Sequence, residues 1–373
     1  MKLACFGVLT LEFLGVSSFS ARWRTMASSS SRGASSNGIR LRMCESENNA
    51  FDGLMLPSDG VGLQNMGMPR AMRPSSDKDG QTTGGSKWLL WFHGRESGFD
   101  PENQLPNLST GRIYFAESED GLRDWKFHED SPCLNPSKED GDWWYFDSEH
   151  VGLGDVVLPG MNAQSKFNTQ DGVFLMYTFG GNSDQVSIPP KEGDDQSDDA
   201  SESPQVLKGV RMEIGVCVSQ DGAHWSRVEG PQAVGSILSA GSPDEFDAQF
   251  VGWPSVLEDG AIYKLYYNTY DPRTKRFVVG LATGKDALKY TKQGQVFAGG
   301  PVGAFDGMGA SRRHVQIVEP GSAFARERGN YRMWYEAVSS DGVHSIGLAT
   351  SKDGKVSLIF GFYCCLSLHI FHR

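Results

Sequence analysis

The sequence predicts an all-β repeat protein built of consecutive β-propeller blades. Three observations lead there. A Ser/Gly-x-Asp-[Gly/Ala] turn recurs at Asp120, Asp221, Asp286 and Asp353. Each turn follows two runs in which apolar and polar residues alternate at period 2, the mark of half-buried strands. The last three turn aspartates stand 65 and 67 residues apart, room for four strands and their loops. The 45 glycines also suit many short strands joined by tight turns.

Residues 1–44 precede the repeat. Between Phe13 and Cys44 there is no Asp or Glu, while Arg22, Arg24, Arg32, Arg40 and Arg42 sit among nine serines. That is the composition of an organelle transit peptide, and it predicts a chloroplast address. The alternative is a secretory signal, from Lys2 and the apolar run Leu3–Val16, which Glu12 interrupts.

The repeat is expected to fill residues 50–355. Its first unit runs from Trp88-Leu89-Leu90-Trp91 to the turn at Asp120-Gly121, with Trp125 behind it. The second runs from Phe174-Leu175-Met176-Tyr177 to Asp221-Gly222, with Trp225. The third runs from Tyr263-Lys264-Leu265-Tyr266 to Asp286-Ala287, with Tyr290. The fourth runs from Tyr331-Arg332-Met333-Trp334 to Asp353-Gly354. In each turn the Asp accepts backbone N–H bonds and the Gly takes positive φ; the aromatic that follows is placed to cover a seam between blades. The second unit is lengthened by an acidic, Ser-rich stretch over 182–205, which reads as a solvated loop within a blade. Residues 356–373 break the pattern with an apolar run too short to span a bilayer.

Ahead of each strand pair lies a second shared element. Phe146-Asp147 through Asp155-Val156 aligns without a gap against Phe246-Asp247 through Ser255-Val256. A shorter copy begins at Phe305-Asp306, and Met66-Gly67-Met68-Pro69-Arg70 stands as the first. These are the expected first strands, lining the central channel, where Gly permits close backbone approach. The alignment puts Arg70, Asp155, Ser255 and Arg312 at equivalent positions, and Glu336 in line with His93, Phe179 and Asn268.

The succession Phe-Asp…Val-Gly-x-Pro-x-Val, Leu-Tyr-Tyr and Ile-Gly-Leu-Ala-Thr-Ser-x-Asp-Gly resembles the five-bladed propellers of the arabinanase/levansucrase/invertase superfamily. The likeness covers roughly residues 50–355. It implies a five-bladed propeller, its last blade incomplete or aberrant here, and a glycoside hydrolase-like protein for furanosides, fructosides or related sugars. It also implies carboxylates at the channel mouth. Glycosidic cleavage needs one carboxyl protonated and another ionised, in environments that push their pKa values apart. Asp155, Asp247 and Glu336 are the candidates for that work. Arg70, Asp147, Trp253, Arg312, Arg313 and His314 are the candidates for binding substrate: the cations through bidentate contacts to carboxylate or phosphate groups, Trp253 through stacking. Trp143, Trp144 and Tyr145 lie near the same strand starts. The usual Asp of the first inner strand has no counterpart, since Arg70 stands in its neighbourhood. Two other readings remain open. One is a non-catalytic propeller that binds a glycan or a protein; the other is a truncated isoform. The repeated Phe-Asp also reads as a device of the blade turn.

Other chemistries find no motif: there is no Gly-x-Ser-x-Gly elbow, Walker or dinucleotide fingerprint, or His-Glu-x-x-His. The six cysteines form no Cys-x-x-Cys pair, so neither a zinc site nor a disulfide framework is expected. A formal charge of −11 argues against nucleic acid or anionic lipid as partner. No cofactor is expected. The expectation is a monomer with a carbohydrate or another small molecule as ligand.

Overall fold

A computed structural model describes residues 63, 65–73, 87–95, 111–122, 124–160, 172–184, 186–188, 205–319, 321–355 and 358–359. The leader, the charged part of the acidic stretch and all but two residues of the tail lie outside them. The described chain is almost entirely antiparallel β, in four successive units of four strands. The first unit is β1 (Asn65–Met72), β2 (Trp88–Arg95), β3 (Arg112–Ser118) and β4 (Lys126–Phe127), hydrogen-bonded in that order. The second is β5 (His150–Val157), β6 (Phe174–Gly181), β9 (Met212–Ser219) and β10 (Ser226–Val228). Within it the short strands β7 (Val186–Ile188) and β8 (Gln205–Leu207) pair at the two ends of the acidic stretch. The third is β11 (Gly252–Asp259), β12 (Ile262–Asp271), β13 (Arg276–Gly284) and β14 (Thr291–Phe297). The fourth is β15 (Gly309–Ile317), β16 (Tyr331–Val338), β17 (His344–Ser351) and β18 (Leu358–Ile359), so the first residues of the tail supply its last strand. A single turn of helix, α1 (Ala323–Arg328), joins β15 to β16. Ser322 caps it by accepting the Ala325 N–H at 3.2 Å.

In the second and third sheets both faces of the strands are apolar because a neighbour covers each side, the reading for strands buried on two sides. Trp91 and Phe115 of the first unit pack on Val156 and Met176 of the second. Tyr177 and Val216 pack on Leu265 and Tyr267 of the third. Tyr266 and Leu281 pack on Met333 and Tyr335 of the fourth. Burying each such side chain contributes about 2 kcal/mol relative to exposure, which makes the seams the main cohesive term between sheets. The first strands meet along the inside: β5 touches both β1 and β11, and β11 touches β15. Four fanned sheets around adjoining first strands form a propeller-like arrangement.

The turns do the work their sequence suggests. Ser219 Oγ accepts the Gly222 N–H at 2.8 Å, and Asp221 accepts those of Ala223 and His224 at 2.9 Å. The aromatics behind them cover seams: Trp225 stands edge-on to Trp91 at 6.2 Å, and Tyr290 bonds Tyr177, hydroxyl to hydroxyl, at 2.9 Å. The turn glycines also serve as acceptors for the preceding sheet. Trp91 Nε1 donates to Gly222 O at 2.7 Å and Tyr266 OH to Gly354 O at 2.9 Å. Among the described residues no helix is long and apolar enough to cross a membrane.

Candidate functional site

The inner strands share a defect. In β1 between Gly67 and Arg70, in β5 between Leu153 and Asp155, in β11 between Gly252 and Ser255, and in β15 between Ala310 and Arg313, the first strand carries one residue more than its partner. Such bulges bend a strand and re-aim its side chains. Met68 and Trp253 take positive φ there (55° and 47°), strain that non-glycine residues accept only when their surroundings enforce it. Gly154 in the second bulge is required for closeness, since a Cβ would fall inside the Pro254 ring of the next inner strand.

Past the bulge the ladders resume in one register. Arg70 pairs with Trp91, Asp155 with Tyr177, Ser255 with Tyr266 and His314 with Trp334. The axial set is therefore Arg70, Asp155, Ser255 and His314. The expected equivalence of Arg312 is corrected: it lies within the bulge, two residues earlier, and the fourth copy is not shortened, since His314 follows Phe305 by the same nine residues that separate Asp155 from Phe146 and Ser255 from Phe246.

Asp155 is the one acid of this set, and it is buried. Its Oδ1 lies 2.8 Å from Arg70 Nε and accepts the Val156 N–H at 2.9 Å. Its Oδ2 accepts the Val256 N–H at 2.9 Å. One carboxylate thus ties three inner strands together. Arg70 Nε also donates to Val156 O at 3.3 Å, so among the described residues both of its hydrogen bonds leave from Nε. Arg313 is spent on the third sheet, donating to Asn268 Oδ1, Trp253 O and, at 2.5 Å, Tyr266 O. Burial pulls its pKa down to about 9 against the opposing pull of Asp155. The expected ligand-binding cation is a clamp between sheets. Trp253 is likewise packing: its ring lies 5.0 Å from Phe179 and 5.8 Å from Phe250.

Nearer the strand starts lies a second cluster, of His93, Arg95, His150, Arg312, Glu336 and His344. His150 Nε2 donates to Gly209 O at 2.7 Å. Burial and the Arg95 charge push its pKa down to about 3, so the ring is neutral. Burial, then the charges of Arg95 and Arg312, hold His93 well below the ordinary histidine value. Glu336 Oε1 bonds His344 Nδ1 at 2.8 Å. Burial works against that carboxylate, but the His344 bond and the Arg312 charge outweigh it and keep its pKa below the usual glutamate range.

Asp147 and Asp247, expected at the channel, are elsewhere. Asp147 is gripped by Arg227 of β10, with Nε at 3.1 Å and Nη2 at 3.0 Å. Asp247 accepts from Tyr267 OH at 2.8 Å and pairs with Lys292 of β14 at 2.7 Å. Arg227 stands opposite Cys217 and Lys292 opposite Ala282, equivalent places on the outermost strands. Asp306 accepts from Tyr335 OH at 2.8 Å. The repeated Phe-Asp is a latch that fastens the loop before each first strand to the body of its sheet. Burying so many carboxylates requires such partners.

Sequence reasoning missed Arg95 and His150 as members of the cluster near the axis. Their one signal was a position at a strand end beside residues already suspected. Trp143 and Trp144 are exposed, while Tyr145 is buried, its hydroxyl 3.1 Å from Gly235 O. Among the described residues no group of three or more His, Cys, Asp or Glu is arranged to hold a metal ion.

No protein-family model and no curated protein sequence matches the chain. Solved structures do align with it in outline. A family 117 glycoside hydrolase, Zg3597 from the marine bacterium Zobellia galactanivorans, covers 80% of this chain and is covered over 70% of its own length, at 15% identity and a TM-score of 0.47. An N-acetylgalactosamine deacetylase from F. plautii, in complex with blood group B trisaccharide, covers 87% and is covered over 74%, at 13% identity and a TM-score of 0.47. An α-L-arabinofuranosidase from Lactobacillus brevis covers 82% and is covered over 79%, at 13% identity and a TM-score of 0.44.

Proposed function

We propose that the chain is a glycoside hydrolase-like propeller on the five-blade plan that binds a furanoside, fructoside or related sugar at its axis without cleaving it. The blade motifs support the carbohydrate class. One observation carries the rest: Asp155, the single acid of the axial set, has both oxygens committed to Arg70 and to two backbone amides. Hydrolysis requires a carboxyl that delivers a proton and a second that attacks or activates water. Arg70 and the two amides take three of the roughly four lone-pair sites of Asp155, which fastens it as a tie between inner strands. Glu336, held ionised by His344 and Arg312, has no proton to deliver at neutral pH. Asp147 and Asp247 are latches away from the axis. What remains there suits recognition: the Arg70 guanidinium, the exposed His314 and the Trp334 ring that pairs with it.

The test pairs turnover with binding. Aryl-furanoside release by the full chain is expected to equal that of its Asp155→Asn and Glu336→Gln variants, all at background. Titration calorimetry with arabino- and fructo-oligosaccharides is expected to show binding heat. Wild-type release tenfold above both variants would restore the hydrolase. Absence of heat with every saccharide would remove the carbohydrate reading.

A further inference from the structure

In the first three sheets the face toward the next sheet is apolar and covered. One row across it holds Met72 and Leu89 in the first sheet, Val157 and Leu175 in the second, and Leu257 and Lys264 in the third. Lys264, the one cation among them, is consumed by Asp259 at 2.8 Å, Tyr331 OH at 2.9 Å and Asp353 O at 2.8 Å. The next row holds Trp91, Tyr177 and Tyr266, at 0%, 0% and 3% exposure.

The fourth sheet departs at both rows. Gln316 and Arg332 occupy the first, and Trp334 in the second is 41% exposed. Ile346, one row nearer the strand starts, is 55% exposed, where Ile113, Ile214 and Val279 of the other sheets are fully buried. An indole left open is explained by any missing neighbour. A Gln–Arg pair in place of two apolar side chains is not, because an apolar sheet laid on it would strand a guanidinium.

The charges point the same way. The chain carries −11 overall. Around this face and the adjoining axis, Arg70, Arg312, Arg313 and Arg332 stand against two carboxylates, Asp155 and Glu336. Arg332 lies 5.8 Å over the Trp334 ring, with the Gln316 side-chain oxygen accepting from its Nε and Nη2. Arg70, whose charge reaches the same His314, has no hydrogen bond from its terminal edge among the described residues. His314 feels both charges: partial burial of its ring, then Arg70 and Arg332, lower its pKa against the opposing effect of Asp155. An electropositive ledge beside an open indole is what a planar carboxylate on a sugar ring requires, since the guanidinium fork matches the carboxylate and the indole takes the ring face.

We infer that this open face of the fourth sheet binds an acidic saccharide, a uronate or another carboxylated sugar, stacked on Trp334 and ion-paired to Arg332 and Arg70. The inference rests on the carbohydrate-binding reading above and names its substrate class. The test is titration of the full chain with trigalacturonate and with its fully methyl-esterified, uncharged counterpart. Trigalacturonate is expected to bind at least tenfold more tightly than the ester and to weaken as salt rises. Trp334→Ala and Arg332→Gln are expected to weaken it about tenfold each with an unchanged unfolding temperature. Equal binding of acid and ester, or variants that bind like wild type, would overturn the acidic class or the face while leaving the carbohydrate reading in place. Absence of binding by any saccharide, acidic or neutral, would remove that reading itself. A dimer in sedimentation velocity that Trp334→Ala converts to monomer would assign the face to a second copy and overturn the proposal.

Discussion

The third and fourth sheets are built on one plan, and four of the places where they differ lie close to shared features of it. Both have the bulged first strand, the Phe-Asp latch, the second-strand tyrosine that bonds it, and the Asp-centred turn. Where the third sheet has Lys292 on its outermost strand, opposite Ala282, the fourth has Ile359, opposite Ala349. Where the third has Asn268 at the end of its second strand, the fourth has Glu336. Gly284 opens one turn and Ser351 the other. Tyr266 is covered and Trp334 is open. Side chains facing the interior of a sheet are held by close packing and barely vary. Those that meet an outer strand, a neighbouring sheet or solvent are free to change, and the chemistry of the fourth sheet is concentrated in them.

The largest expected effect tests the latch. Asp247 neutralises Lys292 and accepts from Tyr267, whereas Asp306 accepts from Tyr335 alone and its Oδ1 has no partner among the described residues. Asp247→Asn removes an ion pair whose acid is 1% exposed and should cost about 2–3 kcal/mol. Asp306→Asn relieves an uncompensated buried charge and keeps an acceptor for Tyr335, so its cost should stay under about 1 kcal/mol. Urea midpoints at constant m-value measure both. Equal losses would break the comparison, because the cation would then contribute nothing to the latch.

A smaller effect separates Glu336 from Asn268. Asn268 donates from Nδ2 to Ala310 O at 2.7 Å and ties the two sheets together without charge. Glu336 sits in the equivalent place as a carboxylate whose pKa is held below its ordinary 4.5. A depressed carboxylate contributes stability that is fully present above the unfolded value and is lost as pH falls through the folded one. The stability difference between wild type and Glu336→Gln should therefore be constant above about pH 5.5 and shrink as pH falls below about 4.5. The midpoint of urea unfolding against pH reads this directly. A difference that grows on acidification would mean the carboxylate is destabilised in place and would reverse the assigned role of His344 and Arg312.

The repeat was legible because its signals are local. The turn Asp, the period-2 runs and the following aromatic lie within a few residues of each other, and each reports its own geometry. The axial set was only half legible. A bulge adds a residue without a consistent mark in the sequence: Gly154, Pro69 and Pro254 stand near three of them, while the fourth has Arg312 and Arg313. Aligning the fourth copy by its Met308-Gly309 step, as if it were shortened, selected Arg312; counted from Phe-Asp, the same nine residues that lead to Asp155 and Ser255 lead to His314, which the ladder selects. The acids were harder still. Asp147 and Asp155 look alike in sequence, and what separates them is the partner each finds: Arg227, 80 residues away on an outermost strand, for one, and Arg70 with two backbone amides for the other. Long-range partners of that kind leave no spacing to read.

The smallest expected effect lies in the turns. In the fourth sheet Ser351 Oγ accepts the Gly354 N–H at 3.0 Å and donates to Asp353 Oδ1 at 3.0 Å, while Asp353 accepts the Lys355 N–H at 2.8 Å. In the third, Asp286 alone accepts, from Leu288 N–H at 2.9 Å and Lys289 N–H at 2.8 Å. No serine fits at Gly284, because its Cβ would run into the Lys289 carbonyl. The third turn has tightened onto its own backbone, and the fourth keeps a hydroxyl as a spacer. Ser351→Ala should cost about 1 kcal/mol, the worth of one hydrogen bond to a partly buried amide. The loss should also spread, since Gly354 O is the acceptor for Tyr266 OH across the seam. Amide exchange at Gly354 and along β12 should therefore quicken in the variant while exchange in the first two sheets stays unchanged. A variant as stable as wild type, with exchange unaltered, would show that the Asp alone builds both turns and that the hydroxyl is idle.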